Sequence, residues 1–180
     1  MWIRGESKKT KMPTRKEALP GHDTKMPVFE HHLVHGKRTG TLFPEALETV
    51  DIGTGEIGHN DLVRIVFDPT KVSLEMRLQA FWENHDPTQG MHQDGNIAAQ
   101  YRSGIYPHSA HQHHAALDSR TAYLAALTNA GKGAVTAESL DAPEFFYAEE
   151  CHQQYLAKNS DGYCGLGETG VSCPVGLSLS

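Results

Sequence analysis

Cysteine is scarce in this chain, with three in 180 residues: Cys151, Cys164 and Cys173. A count this small and odd excludes a secreted disulfide scaffold and makes a reducing cytoplasm the expected compartment. Long apolar runs are missing as well, and none approaches the length of a membrane span. Basic charge is not in excess: 16 Lys and Arg against 22 Asp and Glu leave a net charge of -6, which gives no footing for nucleic acid or an anionic membrane as partner. Residues 1–16 are basic but lack the apolar core of a secretory signal, so a disordered solvated tail is expected, with a short organelle transit peptide as the alternative. The chain has no internal repeat and no low-complexity block. What remains is the ordinary composition of one domain long enough to bury a core.

Residues 1–27 are polar, charged and punctuated by Pro13, Pro20 and Pro27, which predicts an irregular basic arm before a domain over 28–180. Leu62-Val63-Arg64-Ile65-Val66-Phe67 is apolar and β-branched and ends at Asp68-Pro69, a strand followed by a turn. Ser73 caps a predicted helix through Asn84, with Leu74, Leu78 and Trp82 on one face and Phe81 beside them. Ile97, Ala99 and Tyr101 alternate up to Ile105, a second strand. Ser109 starts a long helix carrying Leu117, Leu124 and Leu127 and ending at Gly131. Residues 135–140 and 145–147 are short strand candidates, and residues 151–156 one helical turn. Strands alternating with helices argue for an α/β or α+β sheet with helices packed on it.

Glycine collects at the end of the chain, in Gly162-Tyr163-Cys164-Gly165-Leu166-Gly167-Glu168-Thr169-Gly170-Val171-Ser172-Cys173-Pro174. So much glycine holds neither a helix nor a central strand. Such a mobile tail suits handing a disulfide from sulfur to sulfur; a surface loop with two idle cysteines fits the same residues. Gly53-Thr54-Gly55-Glu56-Ile57-Gly58 has the G-x-G-x-x-G spacing, but a dinucleotide site must follow a strand and open a helix, and here a strand comes next. It reads as a turn. His31, His32 and His35, and His111, His113 and His114, cluster without a converging carboxylate or thiolate, so no metal site is expected.

Four strings carry more. Phe81-Trp82-Glu83-Asn84-His85-Asp86-Pro87-Thr88-Gln89-Gly90-Met91, Gln100-Tyr101-Arg102-Ser103-Gly104-Ile105-Tyr106-Pro107, Tyr147-Ala148-Glu149-Glu150-Cys151-His152-Gln153-Gln154-Tyr155-Leu156 and the glycine-rich tail closely resemble peptide methionine sulfoxide reductase A. The Glu17-Ala18-Leu19-Pro20-Gly21 arm and the Gly58-His59-Asn60-Asp61 turn resemble it too, in the same order along most of the chain. The resemblance implies a two-layer ferredoxin-like α/β sandwich. It also implies reduction of methionine S-sulfoxide, free or in proteins, with no cofactor and with thioredoxin as reductant. In that family a cysteine attacks the sulfoxide sulfur, methionine leaves, and the resulting sulfenic acid is resolved to a disulfide by tail cysteines. By resemblance Cys164 is the first resolving thiol and Cys173 the second, in a redox tail over 160–180.

The resemblance also exposes a gap. The family nucleophile sits in a Gly-Cys-Phe-Trp-Gly motif at the end of the first core strand, opening the first helix, where a helix N-terminus lowers a thiol's pKa. No such motif occurs in this chain, which runs Phe43-Pro44-Glu45-Ala46-Leu47-Glu48-Thr49-Val50-Asp51-Ile52 straight into Gly53. An internal truncation near 48–57 is implied, removing the first core strand and helix, leaving strand edges bare and uncovering an apolar face. Asp61 stands where the family has a glutamate that protonates or hydrogen-bonds the sulfoxide oxygen. A placed general acid is worth about 10²–10⁴-fold, and a displacement of about 1 Å costs on the order of 10²-fold. In ungapped register Asn96 replaces the family's site aspartate, and Asp94 lies two residues away. Tyr101, whose counterpart hydrogen-bonds the sulfoxide oxygen, is intact. Cys151 is expected as a buried, inert thiol. The expected activity is nil or residual; the alternative is a non-catalytic form that binds thioredoxin or another partner through the tail dithiol.

Overall fold

The computed structural model describes residues 59–148, 151–162 and 169–174. The arm over 1–27, the group His31, His32 and His35, the Gly53–Gly58 turn and Cys164 lie outside the described residues.

Two capped helices make the core. Helix α1 spans Leu74–Glu83, with the Ser73 side chain accepting from the Met76 backbone N–H at 3.2 Å. Helix α2 spans Ala110–Asn129, capped by Ser109, whose Oγ accepts from the Gln112 N–H at 3.3 Å. Both caps satisfy donors that a helix start leaves free. At the far end of α2, Gly131 takes φ +68°, its N–H bonds Thr128 O at 3.0 Å, and the Lys132 N–H bonds Leu127 O at 2.9 Å. That pair of bonds is the Schellman ending, and glycine occupies its left-handed position without a side-chain penalty.

The buried stripe of α2 is Ala116, Ser119, Tyr123 and Leu127, not the expected row through Leu117 and Leu124, which are 39% and 38% exposed. Small residues at 116 and 119 let α1 approach. Trp82, 1% exposed, donates its indole N–H to Ser119 Oγ at 3.0 Å and stacks on Tyr123 with ring centroids 5.5 Å apart. Leu78, Val135, Ala137 and Cys173 complete this core.

The strands are short. His92–Gln93 (β1) and Asn96–Ile97 (β2) pair antiparallel, with His92 opposite Ile97 and Gln93 opposite Asn96. Gly104–Ile105 (β3) and Glu138–Ser139 (β4) pair parallel, with Gly104 opposite Glu138. Backbone bonds from Leu140 N–H to Ile105 O (3.3 Å) and Ala142 N–H to Pro107 O (2.9 Å) extend that pairing. Among the described residues the strands pair only two by two. A mixed α/β fold is therefore present, with small sheets and helices.

Several local expectations change. The strand read from Ile97 to Ile105 is broken by a 3-10 turn at Ala99–Tyr101, closed by Tyr101 N–H to Ala98 O at 3.0 Å. The last helix, α3 (Tyr155–Lys158), starts later than expected because Gln154 is left-handed at φ +55°. Residues 145–147 give only an isolated bridge at Tyr147. Residues 62–67 form no strand. Val63, Ile65 and Val66 are 87%, 60% and 57% exposed there. Their sequence is fit for a sheet, but a strand exists only through a neighbour's hydrogen bonds. Beside them a cleft of about 250 Å³ opens, lined among others by Leu62, Leu74, Leu78, Phe81, Ile105 and Phe145. No helix among the described residues is long and apolar enough to cross a membrane.

Candidate active site

The two surviving candidates, Asp61 and Tyr101, are brought together by the backbone. The Asp61 N–H donates to Gln100 O at 2.9 Å, so the residue before Tyr101 and Asp61 itself form one contact. The 3-10 turn that presents Tyr101 is anchored by buried Ala98, Ala99 and Gln100. Asp61 is exposed and Tyr101 half-buried, which places both at the boundary between core and water.

Arg102 and Glu138 brace that contact. Arg102 donates from Nε to Glu138 Oε1 at 2.9 Å, and from Nη1 to Ala99 O at 2.9 Å and His59 O at 3.4 Å. One guanidinium thus ties the segment that enters at His59 to the turn that carries Tyr101, using the planar fork that suits arginine to this work. Tyr106 donates its hydroxyl to Glu138 Oε1 and receives the Asn60 side-chain N–H at 3.0 Å. Burial, together with the Glu138 contact, raises the Tyr106 phenol above its ordinary pKa, so it stays protonated and remains a donor. The His59 ring meets Phe146 edge-on at 5.2 Å.

The other sequence candidates fall elsewhere. Asn96 is on β2, and Asp94 sits exposed on the hairpin turn at φ +49°, its N–H bonded to Gln89 Oε1 at 2.7 Å. The hairpin packs against the 3-10 turn, so Asn96 belongs to the same neighbourhood as Tyr101. Asp86 closes a local turn, accepting from Thr88 N–H at 3.0 Å and Thr88 Oγ1 at 2.7 Å. Burial pushes its carboxyl up, but these bonds and one from Gln89 outweigh it and hold the pKa below the ordinary value. His113 pairs with Asp141 at 2.8 Å, and among the described residues no group of three or more His, Cys, Asp or Glu is placed to hold a metal.

Both described cysteines depart from expectation. Cys151, expected buried, is exposed, because the turn that precedes α3 faces it outward. Cys173, expected on a mobile tail, is 5% exposed and part of the core, and its N–H donates to Glu83 Oε1 at 2.8 Å. Sequence reasoning missed Glu138, Glu83 and Tyr123. An acid inside the apolar alternation of residues 135–140 was the one visible hint of Glu138; nothing in the spacing pointed to the other two.

The fold is mixed α/β, it bonds Asp61 to the turn that carries Tyr101, and it docks a cysteine-bearing C-terminal segment on its helices. The sequence model described as peptide methionine sulfoxide reductase matches residues 48–171. Peptide methionine sulfoxide reductase MsrA 1 of Synechocystis sp. is 43% identical over 211 residues, covering 96% of this chain and 95% of that protein. The mitochondrial peptide methionine sulfoxide reductase of Homo sapiens is 41% identical over 200 residues, covering 90% and 85%. The crystal structure of Mxr1 from Saccharomyces cerevisiae in reduced form superposes with a TM-score of 0.50 at 28% identity, over 55% of this chain and 52% of that one. This chain belongs to the peptide methionine sulfoxide reductase family. The alignment with the Synechocystis protein is longer than the 180 residues this chain has, so that relative carries residues with no counterpart here.

Proposed function

We propose that this chain is a methionine sulfoxide reductase of the A type whose own catalysis is nil or residual, in the setting of oxidative-damage repair. One observation carries the reading: of its three cysteines, none stands in a Gly-Cys-Phe-Trp-Gly motif. The truncation near 48–57 removes the first strand and helix of a ferredoxin-like sandwich, which accounts for the apolar, strandless run at residues 62–67. The retained parts are those that handle oxygen rather than sulfur. Asp61 supplies a proton or hydrogen bond to the sulfoxide oxygen, and Tyr101 a second hydrogen bond. Without an attacking thiolate the S–O bond is polarised but not cleaved, and loss of a nucleophile leaves only weak residual catalysis from the remaining groups.

The tail dithiol, Cys164 and Cys173, is assigned to exchange with thioredoxin in a cytoplasmic setting. Methionine sulfoxide-containing proteins are the substrate class. The purified chain is expected to show no thioredoxin-dependent turnover of methionine S-sulfoxide above background; turnover at ordinary rates overturns the reading. The second reading, a non-catalytic thioredoxin-binding form, is favoured by the retention of both tail cysteines. With the chain first oxidised to a Cys164–Cys173 disulfide, a thioredoxin lacking its resolving cysteine is expected to attack that bond, releasing one tail cysteine as a thiol and staying trapped on the other as a mixed disulfide; no adduct argues against this reading. Reading the parent transcript between the codons for Leu47 and Gly58 identifies the origin of the gap.

A further inference from the structure

The C-terminal segment at residues 169–174 is held by side chains from both core helices. Tyr123 is fully buried on α2, yet its hydroxyl reaches out of the core to the tail. It lies 2.7 Å from Thr169 Oγ1 and donates to Val171 O at 3.1 Å. Thr169 Oγ1 in turn accepts from the Val171 N–H at 3.3 Å. On the other side Glu83, the last residue of α1, accepts the Cys173 N–H at 2.8 Å, and Gln79 holds the same carboxylate oxygen from one turn earlier at 3.2 Å. Three alternate residues of the segment, 169, 171 and 173, are therefore each gripped from the core. Gly170 between them takes φ +72°, a conformation that favours glycine, which lets the segment turn onto the helices. Cys173 is 5% exposed at the end of this strap, whereas Cys151 is exposed.

We infer that Tyr123 and Glu83 are positioning residues that keep Cys173 withheld from thiol chemistry, and that this thiol reacts only when the strap lifts locally from α1 and α2 while the helical core stays folded. The bonds involved are few and polar and lie at the surface end of the core, which is where sub-global opening costs less than unfolding. The inference rests on the proposed role of the tail dithiol for its purpose. Its test reads thiol exposure alone, so either can fail without the other.

The test is the rate at which iodoacetamide alkylates Cys173 in the reduced full chain, followed by mass spectrometry of the Cys173 and Cys151 peptides. In the unaltered protein Cys173 is expected to react at least about tenfold more slowly than Cys151. Low urea, short of the unfolding transition, is expected to leave that ratio nearly constant. Tyr123→Phe keeps the ring stacked on Trp82 and deletes only the hydroxyl, and it is expected to speed Cys173 alkylation by about tenfold. Glu83→Ala is expected to speed it severalfold, while Glu83→Gln, which keeps a carbonyl oxygen in place, restores the slow rate. Cys151 serves as the unchanged reference throughout. Equal rates at Cys173 and Cys151 in the unaltered chain would overturn the inference. So would unchanged rates in Tyr123→Phe and Glu83→Ala, equal rates in the two Glu83 variants, or a urea dependence matching global unfolding.

Discussion

The helical pair and the strandless run at residues 62–67 are both apolar, and they meet opposite fates. On α1 and α2, Trp82, Tyr123 and Leu127 are buried to 1% exposure or less. In the run, Val63, Ile65 and Val66 are all more than half exposed. A helix satisfies its own backbone and needs only a face to pack against, which α1 and α2 supply to each other. A strand must borrow both its hydrogen bonds and its cover from neighbours. Self-contained elements therefore keep their structure, while an apolar run without a hydrogen-bonded neighbour keeps only its composition.

That contrast is broken most severely by Trp82→Ala, which empties the centre of the helical pair and should cost about 3–5 kcal/mol in urea unfolding. Ser119→Ala leaves the Trp82 indole N–H buried without its acceptor and is expected to cost about 1–3 kcal/mol by the same measurement. Gly131→Ala meets no steric obstacle within 4 Å, so it isolates the backbone cost of a positive φ at the end of α2, about 1–2 kcal/mol. On the other side of the comparison, Val63→Thr with Ile65→Thr should change stability by no more than about 0.5 kcal/mol. It should still lower binding of a hydrophobic dye, since those side chains are already in water. A loss above 2 kcal/mol, about the value of burying one such side chain, would mean the run is packed after all.

The smallest effect is in pH. Burial holds the His85 imidazole below its ordinary value, against an opposing pull from the Phe81 carbonyl that Nδ1 meets at 2.6 Å. The folded state then binds fewer protons than the unfolded one. Stability from this group is present above about pH 6.5 and is lost as pH falls towards the depressed folded value. Urea midpoints followed downward from neutral pH should drop, and His85→Gln should flatten the drop.

How much of this could be read in the residues follows the same division. Ser73, Ser109 and Gly131 mark helix ends through contacts within four residues, so both helices were legible to within a residue or two. The face of α2 was not, because Leu117 and Leu124 are apolar but Ala116 and Ser119 are small, and closeness of approach to Trp82 decided the outcome. The strand expected at residues 62–67 depended on a partner elsewhere in the chain. Asp61 and Tyr101 were expected from family strings, and the Asp61 N–H bonds the carbonyl of Gln100, the residue before Tyr101. Glu138 was not legible, since its contacts with Arg102 and Tyr106 span more than thirty residues in sequence. Cys151 and Cys173 exchanged their expected environments because burial of a thiol is decided by what docks on it, not by the glycine around it.

The cleft between α1 and residues 62–65 has a consequence for supply inside a cell. Wet apolar surface is what chaperones and proteases sample, and a chain triaged in this way has its abundance set by clearance as much as by synthesis. The quantity of this protein is therefore expected to rise when protein degradation is blocked, by more than that of a relative whose corresponding face is filled.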